Sequence, residues 1–266
     1  MSPEEGNLRL ISTIRAHRHV LANFIGRDLK VKYRGTVFGY LWSLLEPLSF
    51  VLVYYFLFAV VVERKTPAYP LVVAVGVLTY NFMGAIVSGG TGALVGNAML
   101  IKRVYIPREI FIYATVGTNI VVYGLNLVAV IPLLFVYSIT PSWRILGLFG
   151  ATLLITLFAT GAALFLACAN AVFRDVGYVI RVLLRLGFYG APTIYPVSMI
   201  TNAEHRHLYM YNPLAVYISM ARSAILDTPF LFTPLQALLA TGFAVGSFAL
   251  GMVFFVRWEK KAVKFL

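Results

Sequence analysis

A single cysteine, Cys168, serves all 266 residues, so no intrachain disulfide exists and thiols say nothing about compartment. It lies within an apolar run, where inert packing suffices as a role. Acid is scarce as well: 10 Asp and Glu stand against 22 Lys and Arg. Inside the apolar runs carboxylates are nearly missing, with Glu46 in one and Glu109 and Asp175 at edges. A proton-coupled carrier needs buried acidic relays, and this shortage counts against one. There is no G-x-x-x-x-G-K-[ST], so ATP is not cradled by that route. There is no H-E-x-x-H and no G-x-S-x-G. Histidines number 4. His17 and His19 lie in a basic tail, and Glu204-His205-Arg206-His207 reads as a solvated loop, so no metal site is assigned. The chain carries no cofactor motif, no catalytic apparatus and no energy source. If it transports, something else drives it.

Apolar residues make up 60% of the sequence, and only 12% is charged. That composition belongs to an all-α polytopic membrane protein. The polar, basic N-terminus lacks a short apolar core followed by a cleavage site, so no removable signal peptide is expected. The net charge of +12 invites a nucleic-acid reading. It fails because the basic residues gather at membrane borders and not along one soluble face.

Six apolar segments are expected to span the membrane: Val37–Val62, Pro70–Val95, Ile110–Ile139, Ile145–Phe173, Val176–Tyr195 and Pro234–Val256. A bilayer crossing takes roughly 20 residues. The division is then residues 1–36 as a cytoplasmic N-terminal helix, 37–256 as the membrane domain and 257–266 as a cytoplasmic tail. Seven Lys and Arg fall in the N-terminal region, three in the middle loop, three near 174–185 and four in the tail. That places 17 of 22 inside and both termini in the cytoplasm.

Residues 7–34 read as an amphipathic interfacial helix. Leu21, Ile25 and Leu29 form its stripe, while Arg27, Lys30 and Arg34 fall opposite at about 100° per residue. Lys32 does not fit this division. The apolar face belongs in lipid and the basic face toward water and anionic headgroups. The plainer alternative is a juxtamembrane positive cluster. Glu46-Pro47 within the first span is either a lining or hinge position or a pair for an interfacial Arg. Ser88 and Gly92 make a small-xxx-small pair for close helix approach.

Between the second and third spans stands a polar island, Asn97–Glu109, with Lys102, Arg103 and Arg108. Ala98–Val104 predicts about two turns of helix, which Pro107 ends. A small helix held between two spans is a handle for a soluble partner. A solvated basic loop explains the charge equally well. The outer segment 196–232 contains Tyr211-Asn212-Pro213, an N-cap followed by proline at the first helical position. A helix to about Asp227 is too short to span. It reads as a re-entrant or surface helix, a lid over an exit, or else a plain connecting loop. Aromatics cluster at Tyr54, Tyr55 and Phe58 and at Phe188, Tyr189 and Tyr195. Such rings stack on sugars, and lipid-facing packing is the ordinary alternative. Arg181 and Arg185 share one helix face inside the fifth segment.

Five stretches occur together in order: Arg27–Leu48 (R-D-L-K-V-K-Y-R-G-T-V-F-G-Y-L-W-S-L-L-E-P-L), Asn97–Glu109 (N-A-M-L-I-K-R-V-Y-I-P-R-E), Phe173–Asp175, Ala191–Pro196 (A-P-T-I-Y-P) and Asn212–Leu214. This arrangement resembles the type-2 ABC exporter permeases for bacterial surface polysaccharides, the Wzm and TarG type. The resemblance covers nearly the whole chain from Arg27. It implies a homodimer in the inner membrane, working with two copies of a P-loop ATPase that holds ATP and Mg. The implied substrate is a lipid-linked polysaccharide, such as O-antigen, or a teichoic acid. ATPase coupling is implied for Arg27, Lys30, Asn97, Ile101, Lys102, Arg103, Tyr105, Pro107, Arg108 and Glu109. The implied channel residues are Tyr54, Tyr55, Phe58, Arg181, Arg185, Phe188, Tyr189 and Tyr195. Pro196, Asn212 and Pro213 fall in the implied external gate. Arg181 and Arg185 depart from the apolar or small residues expected there.

A membrane-embedded enzyme acting on lipid-linked sugars is the reading from another class. It would show acidic metal-binding clusters at the cytoplasmic face, where Asp175 stands almost alone. An ion-coupled carrier is disfavoured by the missing carboxylates and by the lack of an obvious inverted repeat.

Overall fold

The computed structural model describes residues 15–56 and 68–266. Among the described residues every regular element is helical. The helices are α1 (Arg18–Tyr33), α2 (Trp42–Tyr55), α3 (Tyr69–Gly96), α4 (Ala98–Arg103), α5 (Glu109–Val128), α6 (Ile131–Val136), α7 (Leu146–Val172), α8 (Asp175–Gly190), α9 (Ala203–Tyr209), α10 (Pro213–Leu226) and α11 (Pro234–Ala262). Phe58, most of the expected loop Glu63–Tyr69 and the first residues of the expected interfacial helix lie outside the described residues. The side chains of Tyr54, Glu46 and Pro47 do so too.

Four stretches are long and apolar enough to cross a bilayer: Tyr69–Gly96, Glu109–Val136, Trp143–Val172 and Pro234–Phe265. They match the expected second, third, fourth and sixth spans. The expected first span is described as the 14 residues of α2. The expected fifth is the 16-residue α8, followed by a turn. At 1.5 Å per residue α8 reaches about 24 Å, short of the roughly 30 Å hydrocarbon core. Pro192 and Pro196, which cannot continue the helix ladder, follow soon after it.

Helix α3 is the centre of the bundle. Leu71, Val73, Val75 and Ile86 on it are fully buried, and it packs against α2, α5, α7, α8 and α10. The second core contact joins α7 to α11. It depends on two glycines, since a Cβ on Gly161 would meet the Ser247 backbone and one on Gly251 would meet Gly161 itself. The expected Ser88/Gly92 pair does not perform this task. Nothing lies within 4 Å of a Cβ at Gly92, and both residues line a small cleft. Helix α3 approaches α7 closely at Gly90, where a Cβ would meet Ala163.

The apolar stripe of α1 faces protein. Phe24 packs on Phe111 with ring centroids 5.2 Å apart, and Ile25 occupies the space over Gly117. Part of the face expected in lipid thus covers α5, because a Gly on α5 leaves room for a side chain to enter.

Candidate functional site

A cavity of about 960 Å³ opens between α1, α2, α3, α5 and α8. Helix α8 contributes Arg181, Arg185, Phe188 and Tyr189, spaced four, three and one residues apart and so on one broad face. Helix α3 supplies Tyr80 and Asn81, and α5 supplies Asn119 and Asn126. Lys32 and Tyr33 come from the end of α1, and Trp42 and Phe50 from α2. No acid lines this space among the described residues. The wall therefore joins three cations, three side-chain amides and a set of aromatic rings.

Two of the three cations lie over aromatic rings. The Arg181 guanidinium lies 4.4 Å from the Tyr178 centroid, and Lys32 Nζ lies 5.7 Å from that of Tyr33. Such contacts orient a cation without neutralising it. Phe188 meets Tyr80 edge-on at 5.5 Å and Tyr189 at 5.3 Å. The Tyr80 hydroxyl donates to the Leu184 carbonyl at 2.6 Å, which fixes α8 against α3.

Of the expected aromatic lining, Phe188 and Tyr189 are in the wall. Tyr195 is not. Its hydroxyl meets Tyr209 Oη at 3.0 Å in a network beyond the end of α8. Tyr55 is exposed outside the cavity. Trp42 and Phe50 take the place on α2 that was expected of the tyrosines. Their positions, eight residues apart, put both on one helical face.

The middle island folds as expected into a short helix, α4. The Asn97 carbonyl accepts from the amides of Leu100 and Ile101, both at 3.0 Å. Ile101 packs against the core, while Lys102, Arg103, Val104 and Tyr105 are exposed. Arg27 donates to Asn97 Oδ1 at 3.3 Å, joining α1 to α4. Lys30 is exposed on the same helix. Pro107 precedes α5 and accepts from the Ile110 amide through its carbonyl. Arg108 lies 3.8 Å from Glu259 near the end of α11, and Glu109 is buried.

Segment 196–232 is more deeply built than a loop. Pro196 leads into a short 3-10 turn at Val197–Met199. Asn212 caps α10, accepting from the Leu214 amide at 3.0 Å, with Pro213 in the first turn. Most of α10 is buried, including Tyr217, whose hydroxyl donates to the Ala240 carbonyl at 2.6 Å. Sequence reasoning passed over Arg222. Its guanidinium is buried and donates to three carbonyls: Val72 at 2.9 Å, Tyr195 at 2.8 Å and Thr193 at 2.5 Å. Those bonds tie the turn after α8 to the start of α3. The available signal was its spacing, four after Ile218 and three before Ile225, in phase with apolar positions.

Residues 21–226 match the family model described as ABC-2 type transporter. An O-antigen export system permease protein of Myxococcus xanthus is 32% identical over 209 residues, covering 78% of this chain and 80% of that one. One from Klebsiella pneumoniae is 29% identical over 231 residues, covering 84% and 86%. A polysialic acid transport protein of Escherichia coli is 20% identical over 206 residues, covering 75% and 78%.

Proposed function

The chain belongs to the ABC-2 type transporter family, and on that premise we propose that it is the membrane permease of an ATP-driven exporter of lipid-linked polysaccharide. The relatives that carry the reading are permeases of O-antigen export and a polysialic acid transport protein. The observation that supports it here is the cavity, where Arg181, Arg185, Phe188 and Tyr189 share one wall. A sugar polymer joined to lipid through phosphate presents two chemistries. Its rings stack on aromatic faces, and its phosphates fit the planar fork of Arg. Both kinds of partner line this one space. Nothing in the relatives' names points to an enzyme.

Energy comes from a separate P-loop ATPase that holds ATP and Mg. Two copies of this chain and two of the ATPase form the working unit. The ATPase docks on α4, whose Lys102, Arg103 and Tyr105 project into water, and beside it on Arg27 and Lys30 of α1. Helices α2 and α8 complete a six-span path in the inner membrane with both termini in the cytoplasm. Segment 196–232 closes the outer end.

The test replaces Arg181 and Arg185 with Gln in the ATPase-bound complex and titrates lipid-linked substrate. The concentration that half-stimulates ATP hydrolysis should rise. Stimulation at the wild-type concentration would show that both arginines only snorkel to headgroups.

A further inference from the structure

At the end of α11 the charges are sorted by sign. Arg257, Lys260 and Lys261, and Lys264 in the 3-10 turn that follows, are all exposed. At 100° per residue the four fall within about 100° of one another. Glu259 is the single acid of residues 257–266. It is buried on the opposite side, 3.8 Å from Arg108 just before α5. Among the described residues none of the four cations pairs with an acid.

The same face is apolar just before the charges begin. Leu250 is exposed on it, one turn before Phe254. Phe254 packs on Phe165 of α7 with ring centroids 4.4 Å apart. It also stacks on Trp258 at 5.4 Å with the planes 9° apart. Lys261 Nζ lies 4.9 Å from the Trp258 centroid. Phe165 and Trp258 are exposed, so the rings form one wall that runs from apolar surface to an ammonium. At 1.5 Å per residue, 234–256 covers about 35 Å, enough for the roughly 30 Å hydrocarbon core. The wall therefore ends where the hydrocarbon ends. Tryptophan belongs at that level, and cations just beyond it meet lipid phosphates.

We propose that this face is a binding site for an anionic phospholipid. An acyl chain lies along Leu250, Phe254 and Phe165, and the phosphate meets Arg257, Lys261 and Lys264. Charge complementarity selects this occupant. Four unpaired cations repel a second copy of the same face, and a zwitterionic headgroup brings its own ammonium toward them. No residue of α11 lines the large cavity, so the site stands whether or not that cavity takes polysaccharide.

The experiment uses the full chain in phosphatidylcholine nanodiscs, alone and with its ATPase bound. The chain has three tryptophans. Trp42→Phe and Trp143→Phe leave Trp258 as the reporter. The probes are phosphatidylglycerol and phosphatidylcholine brominated near the glycerol end of their acyl chains, because bromine quenches a tryptophan it touches. Each replaces unbrominated phosphatidylcholine in steps, and the readout is the mole fraction that gives half of the quenching. That fraction should be about five-fold lower for phosphatidylglycerol, and the gap should narrow as salt rises. The four cations are exposed, so changing them all to Gln opens no hole and should bring the two fractions together. Lys261→Gln alone should raise the phosphatidylglycerol fraction about two-fold. Arg206→Gln, which removes an exposed charge from α9, should change neither. Equal fractions in the parent, or a preference that survives all four substitutions, would overturn the proposal. Loss of the preference on adding the ATPase would give the cations to that protein and remove the lipid from the site. No quenching by either lipid would show the face covered by protein, such as a second copy of this chain, and would overturn the assignment too.

Discussion

Arg27 and Asn97, seventy positions apart in the chain, meet side chain to side chain at 3.3 Å. Asn97 uses its amide nitrogen on the Ala93 carbonyl at 2.9 Å, and its oxygen is thereby turned to Arg27. Arg27 is steadied by Asp28 at 2.8 Å and by the Phe24 ring at 4.7 Å. Two stretches widely separated in sequence therefore form one surface. A bond this exposed contributes about 0.5–1 kcal/mol. A double-mutant cycle with Arg27→Gln and Asn97→Ala should give a coupling of that order in thermal unfolding of the complex. A coupling of zero would make the contact incidental.

Lys102 and Arg103 end α4 without an acid partner among the described residues. Changing both to Glu reverses four units of charge at the exposed tip while leaving Ile101 in its core contact. ATPase binding should weaken, with the greatest loss at low salt, because exposed charges steer association and are screened. Co-purification across a salt series measures it. Equal binding at every ionic strength would reduce this stretch to a basic loop that only obeys membrane polarity.

Much of this layout was readable from local pattern. Asn97–Glu109 is polar between apolar runs, and Asn212-Pro213 is a local capping signal. Both signals sit within a few residues of the structure they specify. Arg222 is different. Its partners Val72 and Thr193 are 150 and 29 residues away, and no local window contains them. The Ser88/Gly92 pair misled for the same reason. Small residues permit a close approach, but the neighbouring helix decides where it occurs, and that was Gly90 against Ala163. Lys32 lay between these cases, an evident break in the stripe at a residue that lines the cavity.

Asn212→Ala removes the acceptor for the Leu214 amide at the start of α10. Loss of such a cap costs about 1 kcal/mol. If the outer segment is balanced within a few kcal/mol between closed and open forms, that shift changes the open population several-fold. A thiol-accessibility reporter placed on the outer segment should label faster. Unaltered labelling, with α10 measurably less stable, would separate capping from gating.

Asp227 follows directly on the last residue of α10. It adopts a left-handed conformation at φ 54°, accepts from the Ser142 hydroxyl, and pairs with Arg144 at 2.9 Å. The Ser142 hydrogen bond, and then Arg144, hold its carboxyl below the ordinary value of 3.8. A depressed folded pKa gives stability that is complete above the unfolded value and disappears as pH falls through the folded one. The difference in melting temperature between the parent and Asp227→Asn should be constant from neutral pH down to roughly pH 5, then shrink below about pH 4. A difference that grew with acid would contradict the assignment.

Arg222 and Gly76 must be considered as a pair. A Cβ at Gly76 would run into both the Arg222 guanidinium and the Thr193 carbonyl. Glycine at 76 is therefore what lets a buried Arg reach three carbonyls on two sides of it. Arg222→Met strips the Thr193 and Tyr195 carbonyls of this donor, while the Val72 carbonyl keeps its bond within α3. Leaving buried groups unsatisfied costs about 1–3 kcal/mol each, so a total loss of several kcal/mol is expected. Gly76→Ala should also destabilise strongly, by displacing the guanidinium from its acceptors. The two losses share one cause and cannot both be counted in full. The double variant should be more stable than the sum of the singles by more than about 1 kcal/mol, since the Met side chain can bend away from the new methyl. Some of the Gly76→Ala penalty should persist, because the Thr193 carbonyl still crowds the site. Chemical unfolding in detergent of the parent, both singles and the double measures this. Strict additivity would mean that Gly76 is glycine for a reason unconnected with Arg222.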